Sequence, residues 1–252
     1  MYIFIRKIVK YFFHPILNKE RFGTENQSTR EKWLEQTLKK IPEGSKILDA
    51  GSGNTNKKRF CSHLEYISQD FAEYNGIEEK EGIQKGPVDY SDVNIISDIS
   101  NIPVEGGSFD SVLCVEVIEH IPNPILAIKE FQRIIRPGGH LILTAPFNSL
   151  THYAPYHYST GFSKYYYEKH LPENGFEILE ITPNGDFFDF LSQEIRRIND
   201  VVETYGNKKY SGIFLSLLKY LIIKYLKRFS DESKNSSELL CFGYHVLAKK
   251  LD

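Results

Sequence analysis

Asp49-Ala-Gly-Ser-Gly53 is the stretch of this chain best suited to chemistry: an acid after a short apolar run, Ile47-Leu48, then two glycines spaced two apart. Glycine tolerates positive φ and carries no side chain, so the backbone can turn sharply and pass close to a ligand. Asp49, where the apolar run stops, is placed to accept hydrogen bonds from the turn or from a ligand ammonium. Asp70 ends a second run, Tyr66-Ile-Ser-Gln-Asp70, 21 positions later. That is the distance at which an acid holds ribose hydroxyls in dinucleotide-type folds. Asp98 ends a third run that starts at Val93, and a fourth run, Ser111–Val115, follows Phe109-Asp110. An ordinary strand-to-helix turn would account for the glycines alone. Carboxylates at the ends of three successive strands point instead to the carboxyl edge of a parallel sheet, where ligands bind.

A second constellation is Glu116-Val-Ile-Glu119-His120. On a helix, positions i, i+3 and i+4 share a face. Two carboxylates and an imidazole there could bind a divalent metal, with His157 as a fourth ligand. The simpler alternative is that they cap a helix after the fourth strand and line a cofactor pocket, and the expectation is that no metal is bound. After the fifth strand come His152, Tyr153, Tyr156, His157, Tyr158 and Phe162. Such a loop suits acceptor recognition or general-base chemistry, and equally suits packing onto the domain. His120 and His157 are the residues assigned to catalysis.

Asp49-Ala-Gly-Ser-Gly, Asp70, Asp98-Ile99, Phe109-Asp110, Glu116-Val-Ile-Glu-His120 and Arg136-Pro-Gly-Gly139 stand in the order seen in class I S-adenosyl-L-methionine (SAM)-dependent methyltransferases, which the chain resembles from about Lys46 to Gly175. Thr55 departs from the pattern, which has a third glycine there. The resemblance implies SAM as cofactor. It places the methionyl end on Asp49, Gly51, Ser52 and Gly53, the ribose on Asp70 and Phe71, and the adenine on Asp98 and Ile99. Val115 and Glu116 would border the methyl-transfer centre. The acceptor implied is a small molecule or a glycan-type, lipid-linked compound, attacked through oxygen.

The elements needed to position these residues are legible in outline. Ser28-Thr-Arg-Glu31 reads as a capping box for a helix through Lys40. Ile125–Ile135 reads as an amphipathic helix before Arg136-Pro-Gly-Gly and a fifth strand, His140–Ala145. A helix from Ser163 to His170, a strand at Phe176–Ile181, helices near 187–205 and 212–229, and a last antiparallel strand near Phe242–Lys249 complete the pattern. The expected fold is α/β: a Rossmann-like, seven-stranded, mostly parallel sheet whose last strand is antiparallel. Residues 1–44 form an N-terminal extension with a helix, residues 45–252 the main domain, and about 185–238 a helical insert.

Composition narrows the partners. With 252 residues and 41% hydrophobic content the chain is globular, and a net charge of −2 gives no electrostatic case for nucleic acid. Three scattered cysteines form neither a disulfide framework nor a metal cluster, which fits a cytoplasmic setting. The apolar, basic segment 1–17 is expected to pack on the domain. It and 212–229 would alternatively suit peripheral membrane contact, or a homodimer face for the latter. Two other functions stay open at this stage. One is a non-catalytic scaffold on the same fold; the other is a nicotinamide-dependent oxidoreductase, disfavoured by Asn56 where its fingerprint wants glycine.

Overall fold

The computed structural model describes residues 21–76, 82–83, 86–206 and 213–252, so the segment 1–17 lies outside the described residues. Helix α1 (Asn26–Leu38) precedes strands β1 (Lys46–Ala50), β2 (Glu65–Asp70), β3 (Ile95–Ile96) and β4 (Phe109–Val115). Helix α2 (Pro124–Ile134) runs directly into β5 (Ile135–Pro146), and α3 (Lys164–Glu173) leads to β6 (Phe176–Asn184). Helices α4 (Phe187–Tyr205) and α5 (Ile213–Glu232) stand between β6 and β7 (Gly243–Lys250).

The strands form one seven-stranded sheet in the order β3-β2-β1-β4-β5-β7-β6. Strands β1 to β5 pair in parallel, and β7 is antiparallel to both β5 and β6. This is the expected architecture, with the helical insert before the last strand. The order reverses between β1 and β4, and that switch point fixes where a ligand can enter.

The chain divides into two compact units. One comprises Arg30–Asn184 with Gly243–Asp252 and contains the whole sheet; the other comprises Gly185–Phe242 and, among the described residues, 21–29. In the sheet unit β1 and β4 are almost wholly buried, which is why they read as continuous apolar runs. Leu34 and Leu38 of α1 pack with Ile47, Leu113 and Ile142, so most of α1 belongs to the core beneath the sheet. Trp33 donates its indole N–H to Glu180 at 2.8 Å and stacks on His245 with ring centroids 4.9 Å apart.

Two local expectations need correction. Ser28 does not open α1, which begins at Asn26 and ends at Leu38. The hydroxyls of Ser28 and Thr29 donate to the Glu25 carbonyl at 3.1 and 2.7 Å, so both sit in the first turn as back-bonding residues. The third strand is only two residues long. The Asn94 side chain accepts the Ser68 N–H at 3.0 Å, and the Ser68 hydroxyl accepts the Asn94 N–H at 3.0 Å. Side chains thus replace the main-chain ladder where the strand was expected to start.

In the second unit Asp186 caps α4, accepting from the N–H groups of Phe188 and Asp189 at 2.9 Å each, and it also accepts the Ser230 hydroxyl of α5 at 2.6 Å. Ile223 and Leu226 of α5 are buried, whereas Leu215, Leu218, Ile222, Tyr225 and Phe229 share an exposed stripe. Among the described residues no helix is long and apolar enough to cross a membrane.

Two predictions follow from this packing. Leu34→Ala should cost about 2–5 kcal/mol, read as a lower denaturant midpoint, because it opens a cavity under β1 and β4. An unchanged midpoint would make α1 an appendage. His245 is buried with Nε2 unpartnered among the described residues, and burial pushes its pKa down from 6.5 to about 4. Its neutral form therefore supports the fold fully above pH 6.5, and that contribution drains away as pH falls towards 4. His245→Gln should flatten the stability–pH slope in that window by at most about 1.4 kcal/mol per pH unit.

Candidate active site

The site is built where β1, β2 and β4 end. Asp49 is fully buried. Its Oδ2 accepts the Tyr66 hydroxyl at 2.6 Å; its Oδ1 lies 3.8 Å from Lys57 Nζ and has no hydrogen-bond partner among the described residues. Burial raises the Asp49 pKa, while Lys57 and Tyr66 oppose that rise. The chain then turns through Gly51 and Gly53, both at positive φ. A Cβ on Gly51 would sit 2.5 Å from a Val117 methyl, so the turn needs glycine there to pack under the segment after β4. Gly51 and Ser52 donate their N–H groups to the Gln69 carbonyl at 2.9 Å each, closing the loop onto β2.

Thr55 replaces the third glycine of the pattern and still takes its conformation, with φ of 56°. A short 3-10 turn, Asn56–Phe60, follows and carries Lys57 back under Asp49. Asp70 fastens the neighbouring loops: Oδ2 accepts the Gly53 N–H at 2.8 Å and Oδ1 the Ala72 N–H at 3.0 Å. Each carboxylate oxygen retains capacity for a further bond. Phe71 stands 36% exposed beside it. The Gln69 amide donates to the Ser97 carbonyl at 2.6 Å, bringing Asp98 and Ile99 to the same edge. Asp98 is exposed and accepts the Ser100 N–H and hydroxyl at 2.7 Å each, whereas the Ile99 side chain is buried.

Glu116, Glu119 and His120 do not share a helical face. Glu116 extends the β4–β5 ladder by donating its N–H to the Thr144 carbonyl at 2.9 Å, then turns at φ of 55°. Only Ile118–His120 forms a 3-10 turn. Glu116 therefore reaches Arg30 at 3.1 Å and the Thr144 hydroxyl at 3.0 Å, while Glu119 turns inward and is fully buried. Burial, reinforced by Glu116, pushes the Glu119 carboxyl well above its usual range.

The loop after β5 is tied to this turn by the backbone. Tyr158 and Ser159 donate to the Glu119 carbonyl at 3.0 and 3.1 Å, and His120 Nδ1 donates to the Tyr156 carbonyl. His120, His152 and His157 consequently cluster, with ring centroids 4.7, 5.0 and 6.0 Å apart. Burial, with the neighbouring imidazoles, lowers the His120 pKa to about 4; burial lowers that of His157 as well. Sequence reasoning missed Arg30, Lys57 and Gln69, whose partners are set by the tertiary fold.

Taken together, an open parallel sheet, an acid-bearing glycine turn at its switch point and an antiparallel β7 define the Rossmann-like class of nucleotide-cofactor folds. Residues 22–195 match the family described as "Methyltransferase domain", and the chain belongs to this family of class I SAM-dependent methyltransferases. Among curated proteins, the chain is 31% identical over 107 residues to the ubiquinone biosynthesis O-methyltransferase of Xanthomonas axonopodis pv. citri, covering 41% of this chain and 44% of that one. The corresponding enzyme of Dechloromonas aromatica is 28% identical over 116 residues, covering 44% and 48%. The chain thus spans under half the length of these curated relatives. Among solved structures, a Galdieria sulphuraria protein described as a sarcosine dimethylglycine methyltransferase shares the fold, with TM-score 0.56, 16% identity and coverage of 89% and 86%.

The residues present fit a cationic, hydroxyl-rich cofactor. Asp49 Oδ1 and Ser52 Oγ are buried without partners among the described residues, and a Cβ on Gly53 would meet nothing nearer than Val88 at 4.0 Å. Both leave polar groups and room on the loop for a ligand. Thr55→Gly should stabilise the protein by about 1 kcal/mol, since a β-branched residue is strained at positive φ. A lowered melting temperature in the variant would overturn that reading of the loop.

Proposed function

We propose that the protein transfers the methyl group of SAM to an oxygen of a small-molecule or glycan-type, lipid-linked acceptor. The observation that carries this is the set of buried acids and glycine turns at the β1/β4 switch point, in a chain of this family. SAM, when bound, supplies a methyl already activated as a sulfonium substituent. The chain's own residues then have to hold two partners in line and exclude water. Asp49, Gly51, Ser52 and Gly53 are assigned to the methionyl end, Asp70 and Phe71 to the ribose, and Asp98 with the Ile99 backbone to the adenine. Val115 and Glu116, at the end of β4, border the transfer centre. Arg30, paired with Glu116, adds a wall that the sequence did not disclose.

His157 is the better base of the two histidines assigned to catalysis. Ser149 donates its hydroxyl to the Thr160 carbonyl at 2.9 Å, so it accepts from His157 Nε2–H at 3.2 Å, leaving the lone pair on Nδ1. His120, with a pKa of about 4, is a weak base at neutral pH. The names of the curated relatives support an oxygen acceptor. The exposed apolar stripe of α5, beside Lys224, Lys227 and Arg228, supports peripheral contact with a lipid surface.

Calorimetric titration with SAM and with S-adenosylhomocysteine tests the cofactor. Wild type should bind both, and Asp70→Ala should bind each about tenfold more weakly or worse. Absence of binding to the wild type, or equal affinity in the variant, would refute the assignment.

A further inference from the structure

We infer that the outward face of α5 is a docking surface for an anionic lipid bilayer. The helix carries two apolar faces. Ile223 and Leu226 are buried, whereas Leu215, Leu218, Leu221, Ile222, Tyr225 and Phe229 are exposed. At the α-helical pitch these six fall within an arc about 120° wide, next to the buried pair. A helix that only has to pack within its own unit needs one such stripe, and a second, exposed one marks an interaction surface. Tyr225, 62% exposed, suits the boundary between headgroups and acyl chains, where an aromatic ring with a polar tip is favoured.

Charge decides between the occupants. At the same pitch Lys224, Lys227 and Arg228 follow along the other edge of the apolar arc. From Ile213 to Ser230 the helix has four cations, these three and Lys219, and no acid; Asp231 and Glu232 come only at its end. The whole chain has a net charge of −2, so positive charge is gathered here against the general balance. Arg228 shares its charge with Glu232 at 2.8 Å, but Lys219 donates to the neutral Asn199 amide at 2.8 Å, and the helix keeps a positive excess. A second copy of the chain would set this patch against itself, with no acid in it before the last turn to meet the cations. Anionic headgroups supply both complements, negative charge for the basic edge and acyl chains for the stripe.

Among the described residues no helix is long and apolar enough to cross a membrane, so α5 would lie in the plane of the interface. Its apolar arc sinks roughly 5–10 Å into the headgroup and acyl boundary, and the lysine stems carry their ammonium groups back to the phosphates. The purpose of such docking rests on the lipid-linked acceptor proposed above. The surface itself stands on the sequence and exposure of α5, and its binding is measured without SAM or acceptor, so either reading can fail alone.

The test is sedimentation of the full-length protein with vesicles of phosphatidylcholine alone and of phosphatidylcholine with equimolar phosphatidylglycerol, at low and high salt. Wild type should partition onto the anionic vesicles about tenfold more strongly or better, and high salt should remove most of that preference. Lys224→Gln with Lys227→Gln should lose the preference. Leu218→Ser with Tyr225→Ser should weaken binding to anionic vesicles about tenfold. All four side chains are exposed, and circular dichroism melting curves check that both variants fold. The glutamine pair stays informative if the serine pair unfolds. No binding of wild type to anionic vesicles, or unchanged binding by the serine pair, overturns the inference; the second result passes the contact to another segment. A wild-type dimer in analytical ultracentrifugation that the serine pair converts to monomer also overturns it, because a second copy then covers the stripe.

Discussion

Asp49 stands at the end of a central strand with none of its surface exposed, and a carboxylate in that position is costly unless other groups come to it. Tyr66 reaches it from the adjacent strand, but Lys57 can reach it only if the chain reverses within eight residues. That requirement explains the shape of the loop. Gly51 must pass under Val117, Gly53 must present its N–H to Asp70, and Thr55 must adopt a backbone conformation that its β-branched side chain disfavours. Everything at the carboxyl edge of β1 is arranged around holding one acid out of water.

The strain is concentrated in the same place. Five non-glycine residues among those described have positive φ, and Thr55, Ala72, Glu116 and Tyr153 all lie in the loops that border the site. Each such residue costs on the order of 1–3 kcal/mol and persists only when its surroundings over-determine it. Here the over-determination is visible. Asp70 binds the N–H of Ala72, and the Thr144 carbonyl binds that of Glu116. The sheet supplies fixed partners, and the loops accept unfavourable backbone angles to meet them. A ligand entering this edge therefore meets groups already held in place.

Much of the fold was legible because each central strand is an apolar run, and three of these runs end in an acid. The seven strands and the antiparallel return could be placed from that rhythm together with the glycine and proline breaks. Errors arose where one pattern serves two structures. Ser28-x-x-Glu31 has the letters of a capping box, yet the helix had already begun and the hydroxyls turned back on Glu25. Glu116, Glu119 and His120 have helical spacing, but the β4–β5 ladder continues through Glu116 and prevents the helix from starting there. Arg30, Lys57 and Gln69 were invisible for a different reason: nothing local marks them, and only the folded sheet brings their partners near.

The two glutamates after β4 show how little separation is needed to give like residues unlike roles. Glu116 is partly exposed and its carboxyl group is met by a guanidinium and a hydroxyl. Glu119, three residues on, faces inward with His120 Nε2 at 3.7 Å and no donor on either oxygen among the described residues. Its neighbour makes matters worse, because Glu116 adds to the burial that already disfavours ionisation. A leucine or glutamine of similar size would be cheaper if packing were the only demand, since an unsatisfied buried carboxyl costs more than an apolar side chain. Burial instead holds the Glu119 carboxyl towards its neutral, protonated form, and Arg30 only partly offsets that.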